Sequence, residues 1–218
     1  MWRRNVLCLK TEKVQTWRFW RSLSTAPTDS PKIFDPNCDP DNPRKLSFTE
    51  ISSATYNIKD GILRTECRKS HKFSDFLGSE IFLKMECNQV TGSFKERGAR
   101  YALLKVSEED KKAGVWAASA GNHALALCYH GKLLGIPINV VMPRHAPLMK
   151  IDYCTKLGAN IIVQGKDLSA ARETAFKLRD EKGGIYINGY DHLDILAGAG
   201  TIGLELLDQL VSGMRLLG

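Results

Sequence analysis

No run of the 218 residues approaches the roughly 18 consecutive apolar positions of a membrane-crossing helix, so no membrane partner is expected. Paired cysteine motifs are missing too. Cys8, Cys38, Cys67, Cys87, Cys128 and Cys154 are scattered, with no C-x-x-C and no metal-ligand spacing. No metal site is expected, and the pattern fits a reduced compartment better than a disulfide framework. Cys128 and Cys154 sit in apolar helical patterns and read as small core residues. Acidic residues are nearly absent from the first 28 positions, where Arg3, Arg4, Lys10, Lys13, Arg18 and Arg21 are set against Glu12 alone. The chain carries a net +7, most of it in this leader. A nucleic-acid surface needs its basic residues on the folded part, so no nucleic-acid partner is expected. Repeats and low-complexity tracts are also absent.

The acid-poor leader interleaves its basic residues with Trp2, Val6, Leu7, Leu9, Val14, Trp17, Phe19 and Trp20, and Ser22, Ser24 and Thr25 follow. Residues 1–28 therefore read as a mitochondrial transit peptide. The alternative is a leader with no address, on a cytoplasmic protein. Pro31, Pro36, Pro40 and Pro43 then mark residues 29–47 as a proline-rich linker.

From there hydrophobic periodicity predicts a helix over 48–62, a strand over 80–86 and a helix over 94–106. The chain next alternates: strand 115–118, helix 122–134, strand 138–142, helix 148–157, strand 160–163, helix 168–181, strand 185–187 and helix 201–210. Alternating strands and helices with short turns imply an α/β fold with a doubly wound parallel sheet. Ligands of such sheets sit outside the carboxyl ends of the strands, and the turn after residue 118 is such a place.

Two segments carry chemistry. Thr91-Gly92-Ser93-Phe94-Lys95-Glu96-Arg97-Gly98-Ala99 places one lysine at a helix start. Ala118-Ser119-Ala120-Gly121-Asn122-His123-Ala124 places a run of backbone N–H groups at the start of another helix, where an anion is favoured. Alone, the first is an ordinary cap with a solvated lysine, and the second an ordinary strand-to-helix turn. Together they supply an amine that forms an imine and a cradle for a carboxylate. Glu96 and Arg97 read as a solvated helix face with no catalytic role, and His130 and His192 as structural.

With Phe82-Leu83-Lys84-Met85-Glu86, Leu157-Gly158-Ala159 and Gly200-Thr201-Ile202-Gly203-Leu204-Glu205, these segments stand in the order found in one family. Over residues 48–210 the chain resembles the fold-type II pyridoxal phosphate enzymes, tryptophan synthase beta-like in fold. It is most similar to the branch holding threonine/serine ammonia-lyases (dehydratases) and serine racemases. The resemblance implies that 48–218 is a pyridoxal phosphate catalytic region, with a small domain at about 114–190 and a larger domain that is incomplete. The family's Thr-Pro is Thr65-Glu66 here, and its Gly-Gln-Gly-Thr is Gly198-Ala199-Gly200-Thr201. The family's glycine-rich phosphate loop and its Ser or Cys opposite the pyridine nitrogen would lie further on, and neither occurs before Gly218.

The resemblance also implies roles. Lys95 would carry pyridoxal 5'-phosphate and act as base at Cα, with Phe94 beside the cofactor ring and Asn122 on its hydroxyl oxygen. Ser119, Ala120, Gly121, Asn122 and His123 would hold the carboxylate of an amino-acid substrate. The implied activity is deamination of L-threonine or L-serine to a 2-oxo acid and ammonia, by a homo-oligomer in full-length form. Two other readings stand beside it: a serine racemase, and a truncated non-catalytic form acting only through pairing with a full-length partner. Racemases of the family carry a serine where Ala120 stands, which favours elimination.

Overall fold

Serine and glutamate open the first helix. In the computed structural model, which describes residues 43–215 (the last five as backbone only), Ser47 and Glu50 form a capping box ahead of α1 (Phe48–Ile58). The Glu50 N–H reaches Ser47 Oγ at 3.2 Å, and the Ser47 N–H reaches Glu50 Oε2 at 2.7 Å. The helix stops at Ile58 rather than 62, because the Asp60-Gly61 turn closes with the Gly61 N–H on the Ile58 carbonyl at 3.0 Å. The leader at 1–28, and the linker as far as residue 42, lie outside the described residues.

The expected strand over 80–86 contracts to β2 (Phe82–Lys84), which pairs antiparallel with β1 (Cys67–Lys69). Between them lies α2 (His71–Leu77), capped by Ser70 and ended by Gly78 at φ 63°. After a turn of 3₁₀ helix at Glu86–Asn88 come α3 (Lys95–Lys105) and α4 (Glu108–Ala113). The sequence patterns did not reveal β1, α2 or α4.

The parallel sheet matches its expected strands closely. Its strands are β3 (Val115–Ala118), β4 (Ile138–Met142), β5 (Asn160–Val163) and β6 (Ile185–Tyr186), in the order β5-β4-β3-β6. Val115 pairs with Ile138 on one side and Ile185 on the other. The linking helices are α5 (Asn122–Leu134), α6 (Leu148–Lys156) and α7 (Leu168–Lys182). Side chains alternate across the pleat. Val115, Ala117, Val140 and Met142 join Ala124, Leu127 and Cys128 of α5 and Cys154 of α6 on one face. Trp116, Val141 and Tyr186 join Ala171, Ala175 and Phe176 of α7 on the other. Both faces are covered, as a doubly wound sheet requires, and Cys128 and Cys154 are core residues.

The last helix differs most from expectation. α8 runs from Leu193 to Arg215 and so begins eight residues before Thr201. Asn188 prepares its start, its side-chain oxygen accepting the N–H groups of Tyr190, Asp191 and His192 at 3.0–3.3 Å. Gly198 and Gly200, which look like a turn, lie inside the helix because α8 packs hard against α3. A Cβ on Gly198 would lie 2.5 Å from the Arg97 carbonyl oxygen, and one on Gly98 would lie 2.6 Å from that of Ile195. Among the described residues no helix is long and apolar enough to cross a membrane.

This contact decides the sign of a substitution. In an open helix Gly→Ala gains about 1 kcal/mol, but here the new methyl meets backbone, which cannot rotate away. Gly198→Ala should lower stability by about 1–3 kcal/mol, whereas Gly203→Ala, where a Cβ meets nothing within 4 Å, should not. Urea unfolding of both variants checks this.

Candidate active site

Lys95 is the first residue of α3, and Phe94 precedes it in helical conformation. The Lys95 N–H reaches Ser93 Oγ at 3.3 Å. Its Nζ donates to the Gly189 carbonyl oxygen and lies 5.3 Å from the centre of the half-exposed Phe94 ring. Gly189 follows β6, and Ser119 follows the neighbouring β3. The amine and the carboxylate turn therefore meet the carboxyl edge of the sheet on adjacent strands. Burial holds the Lys95 ammonium below its ordinary pKa.

The turn has an internal division of labour. The Ser119 N–H is committed to the Val141 carbonyl at 3.2 Å, so a ligand meets its hydroxyl rather than its amide. The Gly121 N–H lies 3.3 Å from Ser119 Oγ. The first bond of α5 runs from the Leu125 N–H to the Gly121 carbonyl. The N–H groups of Asn122, His123 and Ala124 thus precede any carbonyl of their own helix and are oriented for an anion. The Asn122 side chain is exposed. A Cβ built on Gly121 meets nothing within 4 Å, so open space fronts the turn. Ala120 is half-buried and contributes only a methyl.

His123 turns inward. It is 6% exposed, and its Nε2 lies 3.1 Å from the Ile187 carbonyl oxygen. A carbonyl can only accept, so the proton resides on Nε2. Burial lowers its pKa to about 4, with the nearby Lys95 and His192 charges adding to the effect against the Ile187 bond. The imidazole is a neutral core group, and only its backbone N–H faces the turn. A Cβ on Gly189 would lie 2.5 Å from His123 Cγ, so Gly189 is the residue that fits between imidazole and lysine.

Glu96 and Arg97 correct the expectation of a solvated face, since each is 1% exposed. Arg97 Nη2 bonds Glu86 Oε1 at 2.8 Å and Nη1 bonds Glu205 Oε1 at 2.6 Å, while Lys84 Nζ bonds Glu205 Oε2 at 2.5 Å. Burial alone would favour losing the guanidinium proton, but Glu86 and Glu205 outweigh it and hold the group firmly charged. The sequence did carry a signal for Glu96. It lies three and seven residues before Ala99 and Leu103, on their buried stripe. For Gly189 and the Ile187 carbonyl no such signal exists, because both act through backbone. A cavity of about 420 Å³ lined by Ile58, Arg64, Arg97 and Glu205 lies apart from Lys95 and the turn.

The family described as "Pyridoxal-phosphate dependent enzyme" matches residues 58–214. The L-threonine ammonia-lyase of Thermotoga maritima is 41% identical over 165 residues, 76% of this chain and 41% of that protein. The structure of maize serine racemase superposes with a TM-score of 0.73 at 31% identity, covering 76% of this chain and 50% of that one. That of the processed form of threonine deaminase isoform 2 from Solanum lycopersicum superposes with a TM-score of 0.69 at 29% identity, covering 85% and 55%. The chain thus spans about half the length of these proteins or less.

The inward His123 implies a pH dependence of folding. Its folded pKa of about 4 lies below the ordinary 6.5. Between those values the unfolded chain binds the proton and the folded chain does not. The stability from neutral His123 is complete above pH 6.5 and lost as pH falls to 4, a change of roughly 3 kcal/mol. His123→Gln should flatten this part of the profile. Denaturant unfolding at pH 7, 5.5 and 4 measures it.

Proposed function

The chain belongs to the pyridoxal-phosphate dependent enzyme family, and on that premise we propose that it carries the lysine and substrate turn of an ammonia-lyase acting on L-threonine or L-serine. One observation supports this above the rest: a half-buried amine of lowered pKa and a row of uncommitted N–H groups share the carboxyl edge of β3 and β6.

The residues present fit the cofactor. Lys95 offers the amine, the space before Gly121 admits a ligand, and Asn122 and Phe94 are exposed to meet one. When bound, pyridoxal phosphate supplies an aldehyde that condenses with an amine and a ring that withdraws electrons from Cα. The protein's share is orientation and proton transfer. The N–H groups of Asn122, His123 and Ala124 hold the substrate carboxylate, which fixes the direction of the Cα–H bond. Lys95 Nζ is deprotonated more often than a surface lysine and takes the Cα proton. The neutral His123 adds no charge that would compete for the carboxylate. Loss of the β-hydroxyl as water leaves an enamine, whose hydrolysis gives the 2-oxo acid and ammonia with no oxidant.

The second reading is a serine racemase, favoured by the superposition on such an enzyme. Inversion needs a proton-exchanging group on each face of Cα. Ala120 has none to offer, so elimination is the better supported reaction. A mitochondrial address from the leader and a homo-oligomeric full-length protein belong to the same proposal.

Borohydride reduction of the chain with pyridoxal phosphate should label Lys95. Lys95→Ala should abolish the label, and Lys105→Ala should leave it intact. Peptide mapping to any other lysine refutes the assignment. In a preparation that turns over L-serine, pyruvate should greatly exceed D-serine, and comparable yields would favour the racemase.

A further inference from the structure

Beside the reactive lysine lies a buried glutamate–histidine contact that the proposed reaction does not use. Glu96 follows Lys95 on α3, and His130 lies in the third turn of α5, where it is wholly buried. Glu96 Oε2 stands 3.3 Å from His130 Nε2, and Glu96 Oε1 accepts the N–H of Thr91. The contact therefore ties three points together: the turn before Lys95, the helix that bears it, and the helix whose first turn is the anion cradle.

An isolated buried carboxylate is costly, so its retention needs partners. Burial would push the Glu96 carboxyl up, but His130 and the Thr91 N–H outweigh burial and hold it below its ordinary value. The Tyr129 ring stands edge-on to His130, with centroids 4.9 Å apart, and restricts the imidazole. The start of α3 also needs such an anchor. Phe94 makes no side-chain capping bond, and Gly92 takes a left-handed φ of 79°. Other side-chain bonds at that start include the 3.3 Å contact of the Lys95 N–H with Ser93 Oγ and the Arg97 bonds to Glu86 and Glu205, none of which reaches α5.

We infer that Glu96 is a positioning residue, which holds the Thr91 turn against His130 of α5 and so sets the Lys95 amine in register with the Ser119–His123 turn. The inference rests on the reading of Lys95 as the imine-forming lysine. An apolar side chain could fill the volume of Glu96. It could not accept the Thr91 N–H and engage an imidazole on another helix at once.

The test uses the full chain without cofactor. Reductive ¹³C-methylation reports the titration of each lysine by NMR, with Lys95→Arg identifying the Lys95 signal. Glu96→Ala should raise the Lys95 pKa towards its ordinary value, as the amine loses its buried seat. His130→Phe, which keeps ring volume, should shift it in the same direction, and the double variant should shift it little further. Glu96→Gln, which retains an acceptor for Thr91, should recover most of the depression. With pyridoxal phosphate added, reducible labelling of Lys95 should be largely lost in Glu96→Ala and much less affected in Glu96→Gln, tracking the titration. Unfolding midpoints are measured alongside. Lowered midpoints with an unchanged Lys95 titration in both Glu96→Ala and His130→Phe would overturn the inference and leave a merely structural pair. Should Glu96→Ala fail to fold, His130→Phe carries the same test. If the unsubstituted chain is labelled elsewhere, the ammonia-lyase reading fails while the titration still decides the coupling.

Discussion

The rotation of α3 about its axis is the constraint on which the rest of the structure depends. Successive helical residues point about 100° apart, so Lys95, Glu96 and Arg97 face three directions. Arg97 enters a cluster holding Glu86 after β2 and Glu205 on α8, joined by Lys84. Glu96 faces His130 on α5. Once both are satisfied the helix cannot turn without stranding a buried charge, which costs several kcal/mol. Lys95 is then aimed at Gly189 with no further device. The cluster holds two cations and two carboxylates. Thr65 Oγ1 and Gln89 Nε2 also bond Glu86, at 2.6 and 3.2 Å, so its lone pairs are well used. Buried ion pairs of this kind contribute modestly to stability against an apolar alternative. What this one supplies is orientation.

The second part of the geometry comes from the sheet. Parallel strands end together, and the turns after β3 and β6 therefore emerge side by side. Ile187 and Gly189 lie in the second of these turns, and their carbonyls take His123 from one side and Lys95 from the other. Both side chains lose water there, and both pKa values fall. One cause thus produces a lysine that sheds its proton more readily and an imidazole that stays neutral at pH 7. The anion cradle keeps its N–H groups because no carbonyl of their own helix precedes them.

The parallel sheet was legible because its strands are covered on both faces and read as continuous apolar runs between short turns. The antiparallel pair β1–β2 was not. Its strands have three residues each and stand largely exposed, so no alternation could develop. The start of α8 was misread for a different reason. Glycine is scored as a helix breaker, but Gly198 is there because the backbone of α3 comes too close for any side chain. Arg97 was missed because a charged residue on a helix is usually solvated. Its partners Glu86 and Glu205 lie 11 and 108 positions away, and no local pattern links them.

The site shows the same limit. Lys95, Gly121 and Asn122 were identifiable as residue types at fixed offsets from a helix start, and topology placed the turn at a strand's carboxyl end. What sets their surroundings was not identifiable, because the lysine amine and the His123 imidazole are seated on the carbonyls of residues 189 and 187, and the lysine owes its lowered pKa to burial. Backbone groups leave no trace in residue identity beyond the need for small neighbours, and Gly189 beside His123 is such a trace. A motif therefore locates the reactive groups, while the burial that gives them their protonation states belongs to the packing of α3 and α5 against the sheet.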